Sequence, residues 1–190
     1  YIKLDKKNES IKHLKVSRNH TNNRNLKARY SFILGQLYED KNEQDSAKIH
    51  FERVVEFKRK IPRELYINAK IKTLQFSKTT SSNKEFLDLI KVKENEKYLD
   101  KIYYGYSQKL ISQGSVELAQ KFLKKSIRIN PLDEILKAKV YINVSEINFK
   151  NSEYLLAGKH LDSALMFMEK NSKEFWKFDR QRRGLEKVVN

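Results

Sequence analysis

Leu34-Gly35-x-x-Tyr38, followed nine residues later by Ala47-x-x-x-Phe51, decides how this chain is read. From Ala28 to Glu39, apolar or small residues fall at Ala28, Phe32, Leu34, Gly35 and Tyr38, the spacing of one helix face. Lys41-Asn42-Glu43 is a polar turn, and a second helix is expected from Gln44 to Lys58, with Ala47, Phe51, Val54 and Val55 inward. Gly35 and Ala47 sit where the two helices must approach closely, and a bulky side chain at either would push them apart. Ile61-Pro62 is expected to end the pair, because proline lacks the amide that continues a helix.

The pattern recurs 72 residues on, two repeats of about 36. Tyr103, Tyr106, Ser107 and Leu110 line a first helix, Gly114 turns the chain, and Ala119, Leu123, Ser126 and Ile127 follow before Asn130-Pro131. Together the copies supply the tetratricopeptide signature. A divergent pair is expected between them: a helix over Leu65–Phe76 with Ala69 and Phe76 inward, a loop at Thr79–Asn83, and a short helix carrying Phe86, Leu87, Leu89 and Ile90. A further pair holds Tyr141, Val144, Ser145 and Asn148, a turn at Asn151–Glu153, then Ala157, Leu161, Ala164 and Leu165, with about four residues inserted around Leu132–Ile135.

The expected fold is therefore all-α, a right-handed superhelical solenoid of antiparallel tetratricopeptide helix pairs. The expected divisions are the second half of a repeat at 1–21, repeats at 28–61, 62–95, 98–131 and 132–171, and a terminal helix over 172–190 that caps the row or opens a fifth pair. Ser10, Leu14 and Ser17 read as a second-helix face, with Tyr1-Ile2 as the tail of a preceding helix. The chain thus reads as a fragment with more repeats upstream.

Composition agrees with a helical array. The 190 residues include only 5 Gly and 2 Pro, too few punctuators for a many-turned β protein. With no Cys there is no disulfide framework, thiolate metal site or Cys nucleophile. No apolar run approaches the roughly 18 residues of a membrane span. The net charge of +16 is dense from Lys3 through Arg29 and at Lys177, Arg180, Arg182 and Arg183. Such a surface attracts acidic protein, anionic lipid or nucleic acid, although a Lys-rich chain also carries such charge on ordinary solvated helix faces.

Little points to catalysis. His13, His20, His50 and His160 form no pair with metal-ligand spacing, and each reads as a surface or half-buried helix residue. No phosphate loop, dinucleotide fingerprint or nucleophile elbow occurs, so no enzyme and no cofactor are expected. Asp100-Lys101 and Glu52-Arg53 read as helix-surface charges. Tyr103-Tyr104-Gly105-Tyr106 invites a base-stacking reading. The repeat register, however, sends Tyr103 and Tyr106 inward and leaves only Tyr104 for the groove. Asp45-Ser46-Ala47 and Asp162-Ser163-Ala164 match an O-glycosylation acceptor pattern of Bacteroidota, yet both fall inside expected helices.

First helices of such arrays line a concave groove. The candidate partner-binding residues are Arg29, Phe32, Gln36 and Glu39; Lys101, Tyr104, Gln108 and Ile111; and Lys139, Ile142, Glu146 and Phe149. Phe32-x-x-x-Gln36 and Tyr104-x-x-x-Gln108 lack the Lys/Asn clamp with which chaperone adaptors hold a C-terminal carboxylate.

Three blocks are more specific than the generic repeat: Ala28–Asp40, Ile61–Ile71 and Tyr98–Tyr106. They resemble the tetratricopeptide lipoproteins called SprE or PorW, of gliding motility and type IX secretion in Bacteroidota, and the resemblance runs in order over nearly all of the chain. It implies a non-enzymatic, periplasmic, outer-membrane-associated scaffold that works beside the translocon and the PorK/PorN ring. Its partners would be other proteins of that secretion assembly, with no nucleic acid. Membrane attachment would come only through a lipid anchor on a Cys upstream of Tyr1. Two other readings stay open: a generic or cytoplasmic regulatory adaptor, and an RNA-binding helical array.

Overall fold

The computed structural model describes residues 6–129 and 133–189. Among these the regular elements are helical: α1 (Lys7–His20), α2 (Arg24–Asp40), α3 (Gln44–Val55), α4 (Arg63–Phe76), α5 (Ser81–Lys91), α6 (Leu99–Ser112), α7 (Val116–Arg128), α8 (Glu134–Lys150), α9 (Tyr154–Leu165) and α10 (Lys173–Val189). Short 3-10 segments at Lys58–Lys60 and Lys93–Tyr98 precede α4 and α6. The chain divides into one unit ending at Tyr98 and another beginning at Leu99. Each is built of antiparallel helix pairs, as the tetratricopeptide reading requires.

The three strong pairs, α2/α3, α6/α7 and α8/α9, turn in the same way. Asn42, Gly114 and Ser152 hold the left-handed conformation, with φ of 61°, 78° and 63°. In each turn the next amide reaches back to a carbonyl of the first helix at 2.9 Å: Glu43 to Tyr38, Ser115 to Leu110, Glu153 to Asn148. This is the Schellman closure, which satisfies carbonyls that a helix end would otherwise orphan. Asn23 and Asp133 cap α2 and α8 in the same way, their side chains accepting the Leu26 amide at 3.2 Å and the Leu136 amide at 3.0 Å.

In the three strong pairs a small residue shares the register of a large one across the pair. Gly35 lies under Phe51, Ser107 matches Leu123 and Ser145 matches Leu161, and all six are buried. The two serines keep their hydroxyls satisfied: Ser107 donates to the Tyr104 carbonyl at 2.6 Å, and Ser145 donates across its pair to the Ala157 carbonyl at 2.8 Å. In the first unit, Phe51 sits between Phe32 and Phe76 within a core of Ala28, Ala47, Val54, Ile61 and Ala69. Burying each large apolar side chain contributes about 1.5–3 kcal/mol.

The divergent pair departs most from the repeat. α4 packs more extensively on α3 than on α5. Lys70, midway along α4, stretches to Glu85 of α5 at 2.5 Å, so a long side chain stands between helices that elsewhere meet over Gly or Ser. A polar staple closes the pair. Buried Asn95 accepts from Arg63 Nε at 2.9 Å and Nη2 at 2.7 Å, and donates to the Leu89 carbonyl at 2.8 Å.

Several expectations need correction. α3 stops at Val55 rather than Lys58. Lys58 takes a φ of 49° as Phe57 and Ile61 tuck into the core; the pair ends at Ile61-Pro62 as expected, with Pro62 at the N-cap of α4. Ser81, Ser82 and Asn83 are the first turn of α5 and not loop, and Ser82 is buried there with its hydroxyl donating to the Thr79 carbonyl at 2.8 Å. On α1, Ser10 and Ile11 are buried but Ser17 is exposed, so the buried face of α1 does not run through Ser17. Tyr1-Ile2, Asn130-Pro131 and Leu132 lie outside the described residues.

Asp100, read as a helix-surface charge, and His50, read as a surface or half-buried residue, are both buried. Asp100 stands in the register of Ala28 and Ala138 and is 7% exposed; its Oδ1 has no partner, and burial raises its pKa. His50 is 5% exposed and stacks on Tyr38 with ring centres 5.3 Å apart. Burial, and then the charges of Arg53, Arg18 and Lys15, lower its pKa to about 4.

Candidate partner-binding surface

The twelve candidate residues separate into wall and rim. Phe32, Tyr104 and Ile142 occupy the same register on α2, α6 and α8, and all three are half-buried. Phe32 meets Phe51 edge-on at 5.3 Å. Tyr104 does not stand free in a groove: it and Ile111 pack against Leu123, Leu136, Val140 and Val144, and the Tyr104 hydroxyl accepts from Asn143 Nδ2 at 3.4 Å. Burial raises the Tyr104 pKa, so the phenol stays protonated and keeps its polar tip in the seam with α8. The helix α8 therefore covers two residues expected to contact a partner.

The rim is polar. Arg29, Gln36, Lys139 and Glu146 are exposed, while Lys101 and Gln108 are half-buried. Glu39 is committed within the chain: Lys72 of α4 holds it at 2.5 Å, tying the two first helices of the first unit together. The tyrosines read as inward are inward, since Tyr103 and Tyr106 tilt onto Phe122 at 5.8 and 4.6 Å.

In the second unit, three candidates meet around one opening. Ile142, Glu146 and Phe149 of α8 line a cavity of about 570 Å³ whose floor includes Leu161 and whose far wall is Phe178, Gln181 and Leu185 of α10. Phe149 is 53% exposed and touches Tyr154 edge-on at 5.5 Å, so one face of its ring is open to a ligand. The sequence reading missed the α10 side because α10 carries none of the repeat signature. The Phe178 and Leu185 spacing on one helix face was the available signal.

Both Asp-Ser-Ala triplets lie in helices, and in the second Asp162 accepts from Arg182 at 2.7 Å. The arginines of α10 are also engaged, Arg182 with Glu186 at 2.8 Å and Arg183 with Asp179 at 2.8 Å. Among the described residues no cluster of His, Asp and Glu could hold a metal ion, and no helix is long and apolar enough to cross a membrane.

Comparison with known proteins agrees with this architecture at the level of the repeat. Residues 28–61 and 100–131 match the family model described as tetratricopeptide repeat, and these are the pairs α2/α3 and α6/α7. No curated protein matches the chain. Tetratricopeptide repeats generally mediate protein–protein interaction, and this chain carries them on an all-α fold.

Proposed function

We propose that this chain is a non-enzymatic scaffold that binds partner proteins through its first helices. The observation that carries this reading is the open cleft between α8 and α10. There an exposed phenylalanine and an apolar floor stand beside Glu146 and Gln181. Apolar anchors with a few polar groups at the edge suit a short peptide segment, which gains affinity from a buried side chain and direction from the rim.

The finer assignment rests on the resemblance of the Ala28–Asp40, Ile61–Ile71 and Tyr98–Tyr106 blocks to the SprE/PorW lipoproteins. On that reading the scaffold works in the periplasm at the outer membrane, held there by an upstream lipid anchor, and links translocon and ring components of type IX secretion. Affinity purification of the native protein, under conditions that keep membrane complexes intact, tests it. A secretion component should co-purify with the wild type and be lost with Phe149→Glu. Recovery of no such component would sink the assignment.

A further inference from the structure

α7 carries four cations on one side. Lys121, Lys124, Lys125 and Arg128 follow the i, i+3, i+4, i+7 spacing of a single helix face, span about 10 Å along the axis, and are all exposed. Among the described residues none of them makes an ion pair within 4 Å. Arg182 and Arg183 of α10 differ in this, since they are paired with Asp162, Glu186 and Asp179. One member has a local role: Lys125 lies over the Phe122 and Tyr103 rings at 5.0 and 5.7 Å. Lys125 and Arg128 also favour the helix C-terminus. Neither effect explains Lys121 or Lys124.

The repeat provides its own control. In register, α3 has Ile49, Glu52 and Arg53 with Glu56 as its C-cap, and α9 has Lys159, Asp162 and Ser163 with Met166 as its C-cap. Both therefore mix their charges, and the fold has no need of four cations. On α7 the four produce like-charge neighbours at i+3 and i+4, each of which weakens a helix by a few tenths of a kcal/mol. The field reaches the neighbouring helix, where Lys124 adds to burial in lowering the His160 pKa. Glu117 is the one acid of α7 on this side, a turn before Lys121.

We infer that the exposed face of α7 docks an acidic amphipathic helix of a partner protein, a second contact separate from the α8–α10 cleft. The matching helix presents carboxylates at i, i+3, i+4 and i+7, which cover the same length. Protein fits better than the other polyanions because Leu118 and Ile129, 41% and 42% exposed, border the cations at the two ends of α7. A phosphate backbone offers nothing apolar to meet them. A bilayer would call for apolar or aromatic side chains projecting along the whole face, and from Lys121 to Arg128 none is exposed.

The test uses the whole chain and a synthetic helix with glutamates at i, i+3, i+4 and i+7 between two leucines. The variant Lys121→Gln/Lys124→Gln/Lys125→Gln/Arg128→Gln should bind this peptide at least about tenfold more weakly at low salt. A control with the same loss of charge, Lys12→Gln/Lys60→Gln/Lys78→Gln/Lys84→Gln, should stay within about twofold. Circular dichroism checks that both variants keep the wild-type helix content. No binding by the wild type, or equal losses in the two variants, overturns the inference. So does stronger α7-dependent binding to phosphatidylglycerol vesicles or duplex RNA than to the peptide. Phe149→Glu should leave peptide binding unchanged, so failure of this contact and failure of the cleft can be told apart.

Discussion

The ring of Phe51 lies 2.6 Å from where a Cβ on Gly35 would stand. That distance is too short for any side chain, so the two residues form a single packing unit. The other strong pairs hold different volumes in the same register, Ser107 with Leu123 and Ser145 with Leu161, all of them buried. Small and large residues thus compensate within one chain. Gly35→Ser should destabilise the first unit by about 1–3 kcal/mol, the usual range for overpacking a core. Adding Phe51→Leu should restore part of that loss, although Phe51→Leu alone is destabilising. Urea unfolding of the four proteins of this double-mutant cycle measures the coupling, and strict additivity would refute the unit.

A second prediction concerns acid. The unfolded chain protonates His50 near 6.5, and the folded chain does so only near 4. Between those values the unfolded state binds more protons. The stability of the first unit is therefore complete above pH 6.5 and is lost as pH falls toward 4, by roughly 2–3 kcal/mol. Phe122 holds the same register in α7, so His50→Phe supplies a neutral ring of similar shape. Unfolding curves at pH 7 and pH 4.5 should show a smaller difference in that variant than in the wild type.

The turns give a third. Ser152 occupies a left-handed position that Gly114 fills without strain in the equivalent turn. Ser152→Gly should cost little or add up to about 1 kcal/mol, because the L-residue penalty disappears. Gly114→Ala should cost about 1–2 kcal/mol although open space surrounds it, since the penalty lies in the backbone. Thermal melts of the two variants should move in different directions or by clearly different amounts.

The staple at Asn95 gives a fourth. Asn95→Ala would strip Arg63 of its acceptor and leave the Leu89 carbonyl unpaired in a buried setting. A loss of about 1–3 kcal/mol is expected. Hydrogen exchange should locate it in α5 and the Lys93–Tyr98 segment, where accelerated amides report local opening.

Helix pairing was the most legible part of the chain, because it depends on residue size at fixed spacing. Gly35, Ala47 and Phe51 state that requirement in the sequence itself. Burial of polar groups was not legible in the same way. Asp100 reads as a surface charge by type and His50 as surface or half-buried, while the register that buries them is visible only once Ala28 and Phe122 are aligned with them. The serine run at Ser81 looked like a loop, and the Ser82 hydroxyl bond to the Thr79 carbonyl at the entry to α5 cannot be seen in composition. Asn95 and Arg63 are 32 residues apart, and no local pattern links them. For the candidate surface, spacing placed Phe149 and Glu146 on one face of α8. It could not tell that α8 would cover Tyr104, or that α10 would supply the opposite wall of the cleft, because both depend on neighbouring helices.

The central claim is that the α8–α10 cleft holds a partner protein. A photo-crosslinking amino acid placed at position 149 in cells tests it most directly, with position 91 on the exposed end of α5 as the reference site. The account predicts a discrete adduct from position 149 with a partner protein, and none from position 91. No adduct at 149, or the same adducts from both positions, would contradict it.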